Sequence, residues 1–547
     1  MYLTSVHPQP NPPESPSPMD TTPAALAVQQ PTEIRNDPDA PLGPIGLSLS
    51  GGGYRAAGFH LGVLGLLSDV GLLRDVAALS TVSGGTIVGM KWVVSLLDGV
   101  PFEEFRERFR AWLTATNVVR EALERLTSYP GGEARSNPSL IRCAAAVYAA
   151  PNFLGDRRLG EVLDGEGIPA EIIFNSTEFR GGLDFRFRRS PNPRVKIGNG
   201  NFPVPREVAA QIRLADVVGA SSCFPGGFEP ILFPDEFHWA PGVLERVRQE
   251  LGTKFEPALP LMDGGIYDNQ GVESVLRANE HGEADTLLIS DTNTRQAALY
   301  VTPPAPRRGW FTLRMAAWAG RLLFVLAAAS VVALGVHAWR EKLGNGWQWQ
   351  DILVYVVPGI LCIATIAALI EARRTALDVR TRLRTQVQIA HAWKDLRDLT
   401  LTEAMVLVEL RALSLISLTS NVFMKRVRGL VQASVFGNAR YEKKRAMILL
   451  YGLDEPHPKL YGEVPWLRPS QHLVNDVCRV DTMSTTLWFD SPEQLPTLER
   501  VGAATATFSL LRLIIERHGP DGGPAGSPVR ELFDRLRGKW DGFNASA

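Results

Sequence analysis

The chain has 547 residues, 45% of them apolar and 21% charged, which is enough apolar content for a large buried core. Its 57 basic and 58 acidic side chains balance to a net charge of −1, which excludes the broad cationic field of a nucleic-acid binder. Cys143, Cys223, Cys362 and Cys478 are far apart and form no CxxC pair. Neither a disulfide framework nor a zinc site is expected, and a reducing compartment is.

The N-terminus lacks the basic and apolar regions of a secretory signal. Residues 1–44 carry eleven prolines among Ser, Thr, Asp and Gln, and this composition predicts a disordered tail over 1–41. Ile45–Ser50 then reads as a strand running into Gly51-Gly52-Gly53, and Ala57–Leu67 has helical spacing. Val76–Val82 is a second strand, ending at Ser83-Gly84-Gly85, and Thr86–Leu97 resumes a helix. Glu171–Asn175, Leu259–Met262, Ala284–Ser290 and Ala446–Tyr451 read as further strands. Strands alternating with helices predict an α/β fold with a mostly parallel sheet and helices on both faces.

Residues 301–395 differ. Leu322–Trp339 is 18 residues long with His337 as its only titratable group, and Ile352–Ile370 is uncharged over 19. As helices these runs measure roughly 27–29 Å, close to the hydrocarbon thickness of a bilayer. Trp339, Trp347 and Trp349 border the linker, as an interfacial aromatic belt would. The spacing predicts a two-helix transmembrane hairpin. The outer flanks carry nine arginines (Arg307, Arg308, Arg314, Arg321, Arg373, Arg374, Arg380, Arg382, Arg384), against Arg340 and Lys342 in the linker. That asymmetry predicts both flanks, and the remainder of the protein, on the cytoplasmic side.

Three blocks carry the chemistry. A serine hydroxyl attacks a carbonyl only with a base beside it and donors for the oxyanion that forms. Ser83 sits between strand and helix with Gly84 and Gly85 behind it, the arrangement of a nucleophile elbow. Gly51, Gly52 and Gly53 can turn successive N–H groups toward one point, and Arg55 follows them. Asp263, at a strand end before Gly264 and Gly265, is the candidate base. Each block alone reads as a turn; the ordered set does not. Gly51–Ala56 also fits the GxGxxA dinucleotide fingerprint, but Asp69 and Asp75 fall at helix or loop positions rather than at a second strand end. His60 reads as a packed helix residue, and His238 and His281 lie in loops, so a Ser-His-Asp triad is disfavoured.

Together the blocks resemble the patatin-like phospholipase family, with its glycine-rich loop ending in Arg or Lys, its GxSxG serine and its DG[GA] aspartate. Asn175–Glu178, Ala215–Pro230, Asn269 and Val480–Gly502 are similar to further family segments. Thr81 stands where the family has the first elbow glycine. The resemblance implies a three-layer α/β/α fold, interrupted here by the transmembrane hairpin, and a Ser-Asp dyad without histidine. It makes Ser83 the nucleophile, Asp263 the general base and Gly51–Gly53 the oxyanion donors, with Arg55, Gly85, Gly264 and Gly265 in support. It implies no cofactor or metal and a phospholipid or other acyl-lipid substrate in a bilayer. The expected organisation is a catalytic region over 42–300, the hairpin insertion over 301–395, a second catalytic part over 396–517 and a C-terminal tail over 518–547. Two other readings remain: an inactive membrane scaffold on the same fold, and an esterase for a soluble substrate.

Overall fold

The computed structural model describes residues 40–128, 139–279, 284–295, 310–342, 349, 352–386 and 400–545. The expected tail (apart from its last two residues), Arg307, Arg308, His281 and most of the linker between the apolar helices lie outside the described residues.

The alternation of buried strand and helix yields one ten-stranded mixed sheet. Its parallel half runs in the order β10 (Arg445–Leu449), β9 (Thr286–Asp291), β1 (Ile45–Leu49), β2 (Val76–Val82), β3 (Glu171–Glu178). β1, β3 and β9 are buried along their whole length, which is why they read as near-continuous apolar runs. Beyond β3 the sheet turns antiparallel through β4 (Leu183–Arg189), β5 (Ile197–Gly198) and β6 (Pro203–Val204). β7 (Ile231–Phe233) and β8 (Leu259–Asp263) form a further antiparallel pair, and β8 is joined to β3. The sequence had not pointed to β4–β7. β5 and β6 are only two residues long and β7 three, while β4 spans seven but carries arginines and is partly exposed.

Helices cover both faces, as a three-layer α/β/α fold requires. On one face lie α1 (Gly53–Asp69), α2 (Gly84–Leu97) and the helix Gln494–His518, enclosing the main core. α1 and Gln494–His518 pack backbone to backbone: a methyl group at Gly62 would collide with the Glu499 carbonyl, and one at Gly502 with that of Phe59. The other face is thinner. There Ala278 packs on Ala78 and Ile173, and Val272 on Ile289 and Val435, under the helices Val272–Asn279 and Met424–Phe436.

The C-terminal tail expected over 518–547 is corrected up to residue 545. Pro528–Ala545 is a helix that buries Leu532, Phe533, Leu536 and Trp540 against the core. Those four apolar residues, at i, i+1, i+4 and i+8, mark one helical face among polar neighbours.

The insertion forms two 30-residue helices, Leu313–Lys342 and Val357–Gln386, the second preceded by a π-helical turn at Ile352–Val356. Within them Leu313–Arg340 and Val354–Arg374 are long and apolar enough to cross a membrane, with 6% and 0% of their most apolar windows buried. A soluble core helix would be mostly covered.

Candidate active site

Ser83 lies on the turn between β2 and α2 with φ 50° and ψ −117°, a backbone conformation that a side-chain-bearing residue rarely adopts. Such strain costs on the order of 1–3 kcal/mol and persists only where surroundings impose it. Here they do. A methyl group at Gly84 would collide with the Gly53 carbonyl, and one at Gly85 with that of Leu49. Beneath the turn, the Ser221 hydroxyl accepts the Ser83 N–H at 3.0 Å, donates to the Asn175 carbonyl at 2.6 Å and lies 2.8 Å from Thr86 Oγ1.

Thr81 fits this turn without disturbing it. Its Oγ1 lies 2.9 Å from Thr86 Oγ1, and its Cγ2 faces Gly89 of α2. The glycine expected on the strand is replaced by one on the facing helix.

Asp263 comes from 180 positions further along, and the register of β3 brings it in. β2 occupies one edge of β3 as far as Val82, opposite Asn175; β8 reaches β3 from the other direction and ends at Asp263, opposite Ser176. Neighbouring residues of one strand thus hold the ends of the two segments that carry Ser83 and Asp263, and bring the Ser83 hydroxyl near enough to the Asp263 carboxylate to favour its charged form. The aspartate's backbone is clamped by its N–H to the Cys223 carbonyl (3.0 Å) and by Thr177 Oγ1 to its own carbonyl (2.8 Å). Its Oδ1 accepts the Gly265 N–H at 2.7 Å. Burial raises its pKa from 3.8 to about 6, against the lowering effect of the nearby Ser83 hydroxyl and the Gly265 N–H. A methyl at Gly264 would lie 2.6 Å from the Asn175 carbonyl oxygen, and one at Gly265 2.9 Å from Asp263 Oδ1.

The glycine loop sits beside the elbow: a methyl at Gly51 would be 3.2 Å from Ser83 Cβ. Its three N–H groups are not equivalent, which corrects the expectation for Gly51. The Gly51 N–H already donates to the Asn269 carbonyl at 2.9 Å. Gly52 (φ 142°) and Gly53 (φ 58°) adopt conformations open to glycine, and among the described residues no acceptor engages either N–H. The loop is braced by Thr292, whose hydroxyl donates to the Gly51 carbonyl at 2.8 Å, and by Thr486, whose carbonyl accepts the Tyr54 N–H at 2.8 Å.

Arg55 points into the protein. Its Nη1 donates to the Met483 carbonyl at 2.7 Å, and burial lowers its pKa to about 10. His60 lies between Ser290 Oγ (2.8 Å) and the Ser50 carbonyl (3.0 Å), with burial lowering its pKa to about 4. Sequence reasoning missed Ser221, Thr86, Thr292 and Thr486 as bracing groups. Single hydroxyls or carbonyls in helices and loops carry no local signal of a distant partner. Among the described residues, no three His, Cys, Asp or Glu side chains are placed to hold a metal ion.

Residues 47–276 match the family model described as patatin-like phospholipase. No curated protein matches the chain. Among solved structures, human GIVD cytosolic phospholipase A2 is similar at 18% identity and TM-score 0.32, over 46% of each chain. The protein thus spans under half of that chain's length. VipD from Legionella pneumophila is similar at 10% identity and TM-score 0.24, over 92% of this chain and 91% of its own. Both TM-scores are low, and the assignment rests on the sequence match. Residues 47–276 therefore carry a patatin-like phospholipase domain.

Proposed function

We propose that the protein is a membrane-anchored lipid acyl hydrolase that cleaves fatty-acyl esters through Ser83 and Asp263. The observation that carries this reading is the convergence of the strained, elbow-borne Ser83 and the buried Asp263 carboxylate at strand ends that meet adjacent residues of β3. Asp263 takes the hydroxyl proton as Ser83 Oγ attacks the ester carbonyl. The oxyanion of the tetrahedral intermediate is met by the free N–H groups of Gly52 and Gly53. The proton passes from Asp263 to the departing alcohol, leaving an acyl-serine. Asp263 then deprotonates the water that hydrolyses this ester. A base with a pKa near 6 is mostly ionised at neutral pH and still strong enough to accept a proton in the transition state.

Two long helices with almost no buried surface support the anchor, and the arginines flanking them support a cytoplasmic catalytic domain. An interfacial ester suits an enzyme held at the bilayer. The fit of Thr81 against Gly89 favours an active elbow over an inactive scaffold.

A fluorophosphonate probe and a lipid-turnover assay on wild type and Ser83→Ala test this. Wild type is expected to label at Ser83 and to release fatty acid from phospholipid vesicles; Ser83→Ala is expected to do neither and to melt at nearly the same temperature. Turnover retained in Ser83→Ala removes Ser83 as the nucleophile. Turnover confined to short soluble esters favours the soluble-substrate reading.

A further inference from the structure

The exposed large apolar side chains of the described residues are concentrated in one stretch: apart from Leu123 and Phe179, all lie between Trp310 and Phe436. The two long helices, with Trp310, Trp349 and the turn Ile352–Val356 beside them, account for those up to Leu377. Of the remainder all but Leu430 and Phe436, among them Met405, Val408, Leu415, Val422 and Phe423, lie on the helix Leu401–Ser417 and the π-helical turn Leu418–Phe423 that follows it. We propose that this segment is a third lipid contact, lying in the headgroup–acyl boundary of the same bilayer and holding the catalytic domain against it. The proposal rests on the membrane reading of the two long helices.

Three observations favour a lipid surface. First, the segment starts at the foot of the hairpin: Thr400, which caps its first turn, bridges to Thr312, one residue before the first long helix. Trp310 (81% exposed) and Trp318 (64% exposed) mark that foot, and indoles of this kind favour the headgroup level. Second, at ~100° per residue Met405, Val408, Ala412 and Leu415 fall within an arc of about 80°, the width of an interfacial stripe. Glu409 and Arg411 border that arc and can reach back to water, and Glu403 lies away from it. Third, exposed Lys425 and Arg426 follow Phe423 after one intervening residue, where anionic headgroups would meet them.

The far end of the same rod is fixed to the catalytic domain. On the helix Met424–Phe436, Val435 is buried against Val272 and Ile289, and Arg428 pairs with the buried Asp291 carboxylate at 3.3 Å. Asp291 precedes Thr292, whose hydroxyl holds the Gly51 carbonyl. An apolar rod seated in lipid therefore ends directly behind the glycine loop.

The test uses the full-length chain with Cys362 and Cys478 replaced by serine, keeping the buried Cys143 and Cys223. A fluorophore is attached at Met405→Cys, Leu415→Cys, Leu361→Cys or Glu442→Cys. Each protein is reconstituted in equimolar phosphatidylcholine–phosphatidylglycerol vesicles with or without doxyl-labelled phosphatidylcholine. Quenching at positions 405 and 415, as well as at 361 in the second long helix, and none at the exposed 442, is the expected result. Quenching at 361 alone overturns the third contact and leaves the anchor standing. No quenching at 361 removes the anchor and this proposal together. Disulfide cross-linking of two Leu415→Cys copies without quenching makes the segment a dimer face and overturns the proposal. The double variant Val408→Asp/Leu415→Asp is expected to lose turnover on vesicles several-fold with turnover of a short soluble ester unchanged. Equal loss on both substrates counts against it.

Discussion

Gly89 faces Thr81 across the junction of β2 and α2, and a methyl group on Gly89 would come within 2.6 Å of Thr81 Cγ2. The strand and helix that frame the elbow need one small residue between them, and here the helix supplies it. Gly89→Ala should therefore overpack the elbow and destabilise the protein by about 1–3 kcal/mol. Thr81→Ala on the same background should restore most of that loss. Chemical denaturation of the single and double variants reads the coupling, and fluorophosphonate labelling reads its effect on Ser83.

The activity of the dyad should follow the ionisation of Asp263. With its pKa raised to about 6, kcat/KM on a neutral ester should climb roughly tenfold per pH unit below that value and level off above it. A profile flat across pH 5 to 7 would detach Asp263 from the chemistry. Asp263→Asn should be inactive throughout.

The same carboxylate should make folding less favourable as pH rises. Its folded pKa lies above its ordinary 3.8, so the native state binds the proton more tightly than the unfolded chain does. Stability is then lost as pH rises from about 4 through about 6, by up to about 3 kcal/mol from this group. Asp263→Asn keeps an acceptor for the Gly265 N–H without the buried charge. Its melting temperature relative to wild type should increase between pH 4 and pH 7, and a constant difference would contradict the assignment.

Ser221 braces the turn through three hydrogen-bond partners, and its removal leaves the buried Ser83 N–H and Thr86 hydroxyl short of one. Ser221→Ala should cost about 1–3 kcal/mol. It should also slow probe labelling of Ser83 by more than that loss of stability explains, because the elbow loses its floor.

Arg428 and Asp291 form a buried ion pair, 7% and 0% exposed. Arg428→Met leaves the carboxylate with only the Gln270 Nε2 and Asn293 N–H donors and no paired cation, and should destabilise by up to about 3–5 kcal/mol. Arg428→Met/Asp291→Asn should recover a large part of this in a denaturation series, whereas additive losses would deny the pairing.

Much of the local structure was legible in the chain. The strand at Val76–Val82 appears with the predicted bounds, and those before Gly51 and Gly264 differ by one residue at their ends. Buried strands of a parallel sheet are apolar on both faces, and glycines punctuate them wherever backbones must turn or touch. The resemblance built on those blocks named the family that residues 47–276 match. The strands β5–β7 were not legible, because pairings of two or three residues leave no periodic trace; β4 was missed although Leu183, Phe185 and Phe187 alternate with Asp184, Arg186 and Arg188. Nor was the helix Pro528–Ala545, whose charged face and preceding Gly-rich segment masked the four apolar residues that bury it.

The amino-acid order by itself determined where a serine, an aspartate and a glycine run stand at strand ends, since side-chain pattern and backbone freedom act within a few residues. Only the tertiary structure decided which of these groups meet. Asp263 reaches Ser83 because β2 and β8 end against adjacent residues of β3, a register set by packing across nearly a hundred positions on either side. The Gly51 N–H is occupied while those of Gly52 and Gly53 are free because Asn269 arrives from that same long-range pairing. Hydrogen bonds between distant segments depend on how whole layers pack, and no local window of sequence contains that information.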